Sequence, residues 1–317
     1  MEQITRRNFL RGVFGGLMLL GLPHFGHADE ARSYKRIVVL GDPHLAVRIH
    51  QHPKPADQEA IVAAKRAILQ DINAWDDVDA VAVVGDIVEQ RGVPEEYQFI
   101  KDFFAPLHAP LWVINGNHEF LYADKRKPDG GAKVASPASW AKKLARYAKF
   151  WHLSSRYYTK DIAGYHLIFL SAEGPLPVEI GEKQLNWFED DLSKHPETTL
   201  VFFHGPLKGT LLNYNKSVNT PRGCAQPEDR LQAILARNPQ VRLWFSGHTH
   251  TPATNYSYAA DGINRYSDTL VNIHNADLDR KKIWTNSLYL YPDHIEVKTY
   301  DHHARAWMPQ FDRRYDR

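Results

Sequence analysis

Five times along this chain a short apolar run gives way to a glycine-flanked cluster of carboxylate, amide and imidazole residues. The clusters are Gly41-Asp42-Pro43-His44, Gly85-Asp86, Gly116-Asn117-His118-Glu119, His204-Gly205-Pro206 and Gly247-His248-Thr249-His250. The runs before them, residues 36–40, 80–84, 111–114, 199–203 and 241–245, are rich in Val, Ile, Leu and Phe and read as strands, several of them buried on both faces; residues 165–170 make a sixth such run. Loops beyond the carboxyl ends of strands in an α/β sheet converge on one edge, so five clusters far apart in sequence can meet in one place.

Between the runs lie segments of helical period. Residues 57–75 put Ile61, Val62, Ile68, Leu69, Ile72 and Trp75 on one stripe, and Pro94-Glu95-Glu96 opens a second helix running to about Leu107. A third starts at Ser136-Pro137 with Trp140, Leu144, Tyr147 and Trp151 on one face, and two more fit residues 182–192 and 228–237. Alternating strands and helices predict a layered α/β fold. Residues 284–291 and the alternation of Ile295, Val297 and Thr299 predict a hairpin that completes a sheet, and the polar residues 209–222 predict a long loop.

The N-terminus carries an address. Thr5-Arg6-Arg7-Asn8-Phe9-Leu10-Arg11 precedes an apolar run over residues 12–22, and Gly26-His27-Ala28 offers small residues for cleavage. The run is about half the roughly 20 residues of a membrane span. Residues 1–28 therefore read as a signal peptide whose paired arginines resemble the twin-arginine consensus. This predicts export by that machinery to the periplasm or beyond, with no stable membrane anchor and a single domain over residues 29–317. Removing Arg6, Arg7, Arg11 and Glu2 balances the acidic and basic residues, so the sequence pI of 8.4 offers no case for nucleic acid as a partner. The only cysteine, Cys224, has no internal disulfide partner, so the core must hold the fold.

Carboxylate, imidazole and amide oxygen without thiolate suit two adjacent ions of intermediate hardness: Fe, Mn or Zn. In family order, the five clusters resemble the calcineurin-like metallophosphoesterases over residues 36–250. The resemblance implies a four-layer αββα sandwich, two mixed sheets flanked by helices. It implies that Asp42, His44, Asp86 and His250 hold one metal, and Asp86, Asn117, His204 and His248 the other, with Asp86 bridging. His118 would touch the substrate, protonating the leaving oxygen or stabilising the transition state. The implied reaction is hydrolysis of a small phosphate ester by metal-activated hydroxide.

Gly85-Asp86-Ile87-Val88, Pro94-Glu95-Glu96-Tyr97 and Gln184-Leu185-Asn186-Trp187-Phe188 resemble the bacterial cyclic-nucleotide and glycerophosphodiester phosphodiesterases, which favours a phosphodiester. Gly205 stands where that branch usually has a second histidine, and the Gly116-to-Phe120 stretch is similar to secreted 5′-nucleotidases. A phosphomonoesterase or nucleotidase is therefore the second reading, and a non-catalytic module of the same fold the third. Arg48, His50, His52 and residues 120–128 and 213–219 are candidate substrate contacts, and His274 either lines the same edge or is a core residue.

Overall fold

The computed structural model describes residues 32–128, 132–214 and 216–317; the signal-peptide reading of residues 1–28 lies outside them. In chain order the elements are β1 (Lys35–Leu40), α1 (Pro55–Ala74), β2 (Ala80–Val84), α2 (Pro94–Phe104), β3 (Leu111–Ile114), α3 (Pro137–Phe150), β4 (Tyr158–Ile162), β5 (Tyr165–Phe169) and α4 (Glu182–Lys194). After these come β6 (Thr199–Phe202), α5 (Glu228–Arg237), β7 (Val241–Ser246), the one-turn α6 (Asp261–Asn264), β8 (Val271–His274), β9 (Trp284–Leu290), β10 (His294–Asp301), β11 (Ala306–Trp307) and β12 (Arg313–Asp316).

The strands form two mixed sheets. One has the order β11-β10-β9-β1-β2-β3, with β12 also on β10, and the other the order β4-β5-β6-β7-β8. In the first, β1, β2 and β3 run parallel and β9 joins β1 antiparallel; in the second, β5 to β8 run parallel and β4 is antiparallel to β5.

Alternation along each strand sets the layers. Ile37 and Val39 of β1, with Ala80 and Ala82 of β2, pack between the sheets against Leu167, Phe169, Phe202 and Phe245. Val38, Leu40, Val81 and Val83 turn outward onto Ile68 and Ile72 of α1 and Ile100 of α2. On the far side Val201 and Trp244 meet Leu185 and Phe188 of α4 and Ile234 of α5. The result is helix, sheet, sheet, helix, as the resemblance implies. The strands β2 and β6 are buried along their whole length and β1 and β7 nearly so, which explains why these runs are almost continuously apolar.

Local signals place the helix starts. Pro94 begins α2, and the Glu96 carboxylate accepts the backbone N–H of Arg91 and Gly92. Ser136 caps α3 through Ser139 N–H, with Pro137 in the first turn. The segment 209–222 is without helix or strand where described, as expected of a long loop. Among the described residues no helix is long and apolar enough to cross a membrane.

Candidate metal centre

The five clusters meet at the carboxyl ends of β1, β2, β3, β6 and β7, so the site spans both sheets. Asp42, His44, Asp86 and His250 each bring a donor atom to within 4.8 Å of the others, and Asp86, His204 and His248 do the same, with Asp86 in both groups. Asp86 Oδ2 lies 3.1 Å from His204 Nε2 and 4.0 Å from His44 Nε2. His250 Nε2 is 3.4 Å from Asp42 Oδ1, and Asn117 Oδ1 is 3.2 Å from His204 Nε2. All seven side chains of the expected ligand set are thus together, and His118 Nε2 stands beside them, 3.8 Å from Asp86 Oδ2.

The chain accepts unfavourable geometry to build this cluster. Asp42, His44, Asp86, His248 and His250 all have φ between 41° and 64°, a region that costs non-glycine residues roughly 1–3 kcal/mol each. Two glycines leave room for carboxylates: a Cβ on Gly116 would fall 2.3 Å from Asp86 Oδ1, and one on Gly247 would fall 2.2 Å from Asp42 Oδ2. Backbone N–H groups then fix those carboxylates across the site, His118 N–H on Asp86 Oδ1 at 2.8 Å and His248 N–H on Asp42 Oδ1 at 2.9 Å.

The outward nitrogens test whether the residues suit a metal. His44 Nδ1 faces the Glu89 carbonyl at 3.3 Å, His204 Nδ1 the Val84 carbonyl at 2.8 Å and His248 Nε2 the Arg222 carbonyl at 2.8 Å. A carbonyl only accepts, so each outward nitrogen carries a hydrogen and each inward one is a potential donor to a cation, the usual arrangement of metal-ligating histidine. Two inward nitrogens, His248 Nδ1 and His204 Nε2, sit 3.2 Å apart, and His44 Nε2 and His250 Nε2 the same distance apart. Inward nitrogens so close must share either a proton or a cation, and the donor set fits Fe, Mn or Zn.

Burial lowers the pKa of His204, but Asp86 and Asp42 outweigh it and bring it up to about 9. Burial, helped by His204, takes His248 down to about 4. Burial would raise the Asp86 carboxyl, yet His204 and His118 hold it well below the carboxylate range.

Two supports escape sequence reasoning. The buried Glu119 carboxylate accepts the N–H groups of Asp86, Ile87, Val88 and Gly116 at 2.6–3.1 Å, locking the β2 and β3 loops together. Asp277 and Asp279, just after β8, hold Arg48: Nη2 to Asp277 Oδ2 is 3.0 Å and Nε to Asp279 Oδ2 is 2.8 Å. Asp279 also pairs with the fully buried Lys65, which donates to the His44 carbonyl, and Arg280 donates to the His250 carbonyl. The signal was present as an Asn-Ala-Asp-Leu-Asp cluster after an apolar run, but without histidine it was not read as part of the site.

His250 differs from the other imidazoles: its Nδ1 is 3.1 Å from Arg48 Nη1 and 3.8 Å from Asp277 Oδ2. Beside it opens a polar cavity of about 370 Å³ lined by Arg48, His52, Asp277, Arg280 and Lys281. His50 is exposed and outside that lining. Phe120 is a core residue against Trp140, and His274 is buried with Nε2 on the Thr210 carbonyl, a satisfied core histidine. A Cβ on Gly205 would meet Val178 Cβ at 2.7 Å, so a second histidine has no room there. A third group, His166 with Asp191 and His195, is differently employed: both His166 nitrogens donate to carboxylates, Asp161 at 2.7 Å and Asp191 at 2.8 Å.

Known proteins resemble this chain in sequence and in fold. The chain is 31% identical over 175 residues to a glycerophosphodiester phosphodiesterase of Enterobacter lignolyticus, covering 54% of this chain and 56% of that one. It is 26% identical over 179 residues to a 3′,5′-cyclic-nucleotide phosphodiesterase of Nostoc, covering 55% and 56%. The chain thus spans little more than half the length of these curated relatives. Its fold is similar to that of a dimetal phosphatase from Danio rerio, with a TM-score of 0.57 and 14% identity over 89% of this chain and 98% of that one. The family model for calcineurin-like phosphoesterases matches residues 35–252, from the start of β1 to just past His250, and the chain belongs to that family.

Proposed function

We propose that this protein is a dinuclear-metal phosphoesterase acting on a small phosphate ester, with a phosphodiester favoured over a monoester. The reading rests on one observation above all: Asp86 belongs to both donor groups and so can bridge two ions. Asp42, His44, Asp86 and His250 would hold one, and Asp86, Asn117, His204 and His248 the other. When bound, such ions acidify water and offset charge on phosphoryl oxygens.

The remaining roles belong to the chain. Asn117 Nδ2 donates to the Tyr122 hydroxyl at 3.3 Å, which turns the amide oxygen inward. His118 donates from Nδ1 to the Glu89 carbonyl at 3.1 Å, leaving Nε2 toward the reacting centre. When Nε2 is protonated as well, the imidazolium can pass that proton to the departing alcohol oxygen as the P–O bond breaks, and Nδ1 keeps its hydrogen bond. Names of the curated relatives support the diester preference, and the lack of room at Gly205 leaves the substrate's alcohol unassigned.

The test pairs elemental analysis with hydrolysis of bis(p-nitrophenyl) phosphate and p-nitrophenyl phosphate. Near two metals per chain with faster diester cleavage supports the proposal. Monoester preference moves it to a phosphatase, and no turnover with Mn, Fe or Zn supplied moves it to a binding module. Export through the twin-arginine route completes the reading, motivated by Arg6-Arg7 before the apolar run. Unchanged periplasmic yield after Arg6→Lys with Arg7→Lys would defeat that part.

A further inference from the structure

A second, larger cavity of about 730 Å³ lies between α2 and the end of α3 and shares no residue with the candidate metal centre. Tyr97, Ile100 and Phe104 line it from one face of α2, a strip about 10 Å long at 1.5 Å per residue, and Phe150 and Trp151 line it from the other side. The rings of Tyr97 and Phe150 are 4.8 Å apart, as are those of Phe150 and Trp151.

Two features separate this cavity from an ordinary gap between helices. The Tyr97 hydroxyl and the Trp151 indole N–H are buried without a hydrogen-bond partner, although most buried polar groups find one. The charged side chains lining it, Lys101, Arg146 and Lys149, are all cationic and no carboxylate joins them. Arg146 donates to the Gly92 carbonyl, whereas the exposed Lys101 and Lys149 have no ion-pair partner among the described residues. An apolar trough with a few polar groups, within the roughly 300–1,000 Å³ of small-molecule sites, suits a compact ligand.

We infer that this cavity is a binding site for a single-chain anionic amphiphile: an apolar chain laid over the half-buried Phe150 and Trp151 and the edge of Phe104, with its acidic head between Lys101 and Lys149. The aromatic wall fits a single hydrocarbon chain, and the cations without an ion-pair partner among the described residues fit one negative head. The inference is independent of the metal chemistry.

Titration of the full-length, metal-loaded protein with decanesulfonate below its micelle concentration, followed by tryptophan fluorescence and calorimetry, tests it. One saturable site per chain is expected, with at least about tenfold preference over the neutral decyl glucoside. Lys101→Glu with Lys149→Glu, both exposed, removes that preference; Ala105→Trp, an exposed lining position, blocks binding of both compounds. Absent saturation, equal affinity for the neutral compound, or binding that survives the variants overturns the assignment. So does self-association that Ala105→Trp abolishes, which would give the trough to a second copy of the chain.

Discussion

Asp86 Oδ2 and His204 Nε2 lie 3.1 Å apart although β2 and β6, which deliver them, belong to different sheets. The centre is therefore a joint between the two sheets, and its geometry depends on how they stack. Asp86→Ala removes the one carboxylate common to both donor groups. The expected outcome is metal content falling from near two per chain to below one, and diester turnover falling by at least about 10³. His118→Ala, in contrast, should keep its metals and lose about 10²–10⁴ in rate. Elemental analysis beside a rate assay separates the two, and full metal content in Asp86→Ala would defeat the bridge.

Gly247 is a matter of space. Gly247→Ala places a methyl where Asp42 Oδ2 now lies, so Asp42 or the loop must move. Overpacking of this kind costs about 1–3 kcal/mol, and the metal on the Asp42 side should weaken selectively. Calorimetric titration with Mn should show one weakened site and one intact; two unchanged sites would mean the loop absorbs the methyl without consequence.

Asp277 Oδ2 lies 3.8 Å from His250 Nδ1 and holds in place Arg48, whose guanidinium is 3.1 Å from that nitrogen, as well as Arg280. Asp277→Asn keeps the shape and removes the charge. Outer partners of metal-binding histidines typically matter by 10–100-fold in affinity. The expected result is a loss of that size for one of two metals, with the circular dichroism of the metal-free protein unchanged.

Glu119 receives four backbone N–H groups. Glu119→Gln turns an amide N–H₂ toward those donors, leaving some unsatisfied at about 1–3 kcal/mol. A lowered melting temperature together with weaker metal binding is expected, because the two loops it joins carry Asp86 and Asn117. Wild-type stability in this variant would remove it from the site's support.

His166 gives a pH signature remote from the metals. Burial lowers its pKa, but hydrogen bonds to Asp191 and Asp161 outweigh this and leave it raised. A histidine whose folded pKa is raised stabilises the fold fully below its unfolded value near 6.5 and loses that contribution as pH rises through the folded value. The gap in melting temperature between wild type and His166→Gln should be widest near about pH 5.5 and close toward alkaline pH. A gap independent of pH would rule out the charged bridge.

Much of this was readable from residue order. The runs for β1, β2, β3, β6 and β7 are apolar on both faces because sheet packs on one side and helix on the other, and that burial leaves a continuous signature. The edge strand β4 escaped because Thr159, Lys160 and Asp161 lie at a sheet margin with little burial, so no alternation betrays it. The C-terminal β11 and β12 escaped for the same reason.

The donor chemistry was set by the sequence alone, since Asp, Asn and His keep their ligand atoms wherever they are placed, and glycine beside them marks where backbone must make room. Tertiary structure decided which nitrogen of each imidazole faces inward, through carbonyls of Val84, Glu89 and Arg222. It also recruited Asp277 and Asp279 to Arg48 from 229 and 231 residues away. Such partners are selected by the stacking of two sheets, and a property that exists only between distant segments leaves no local pattern to read.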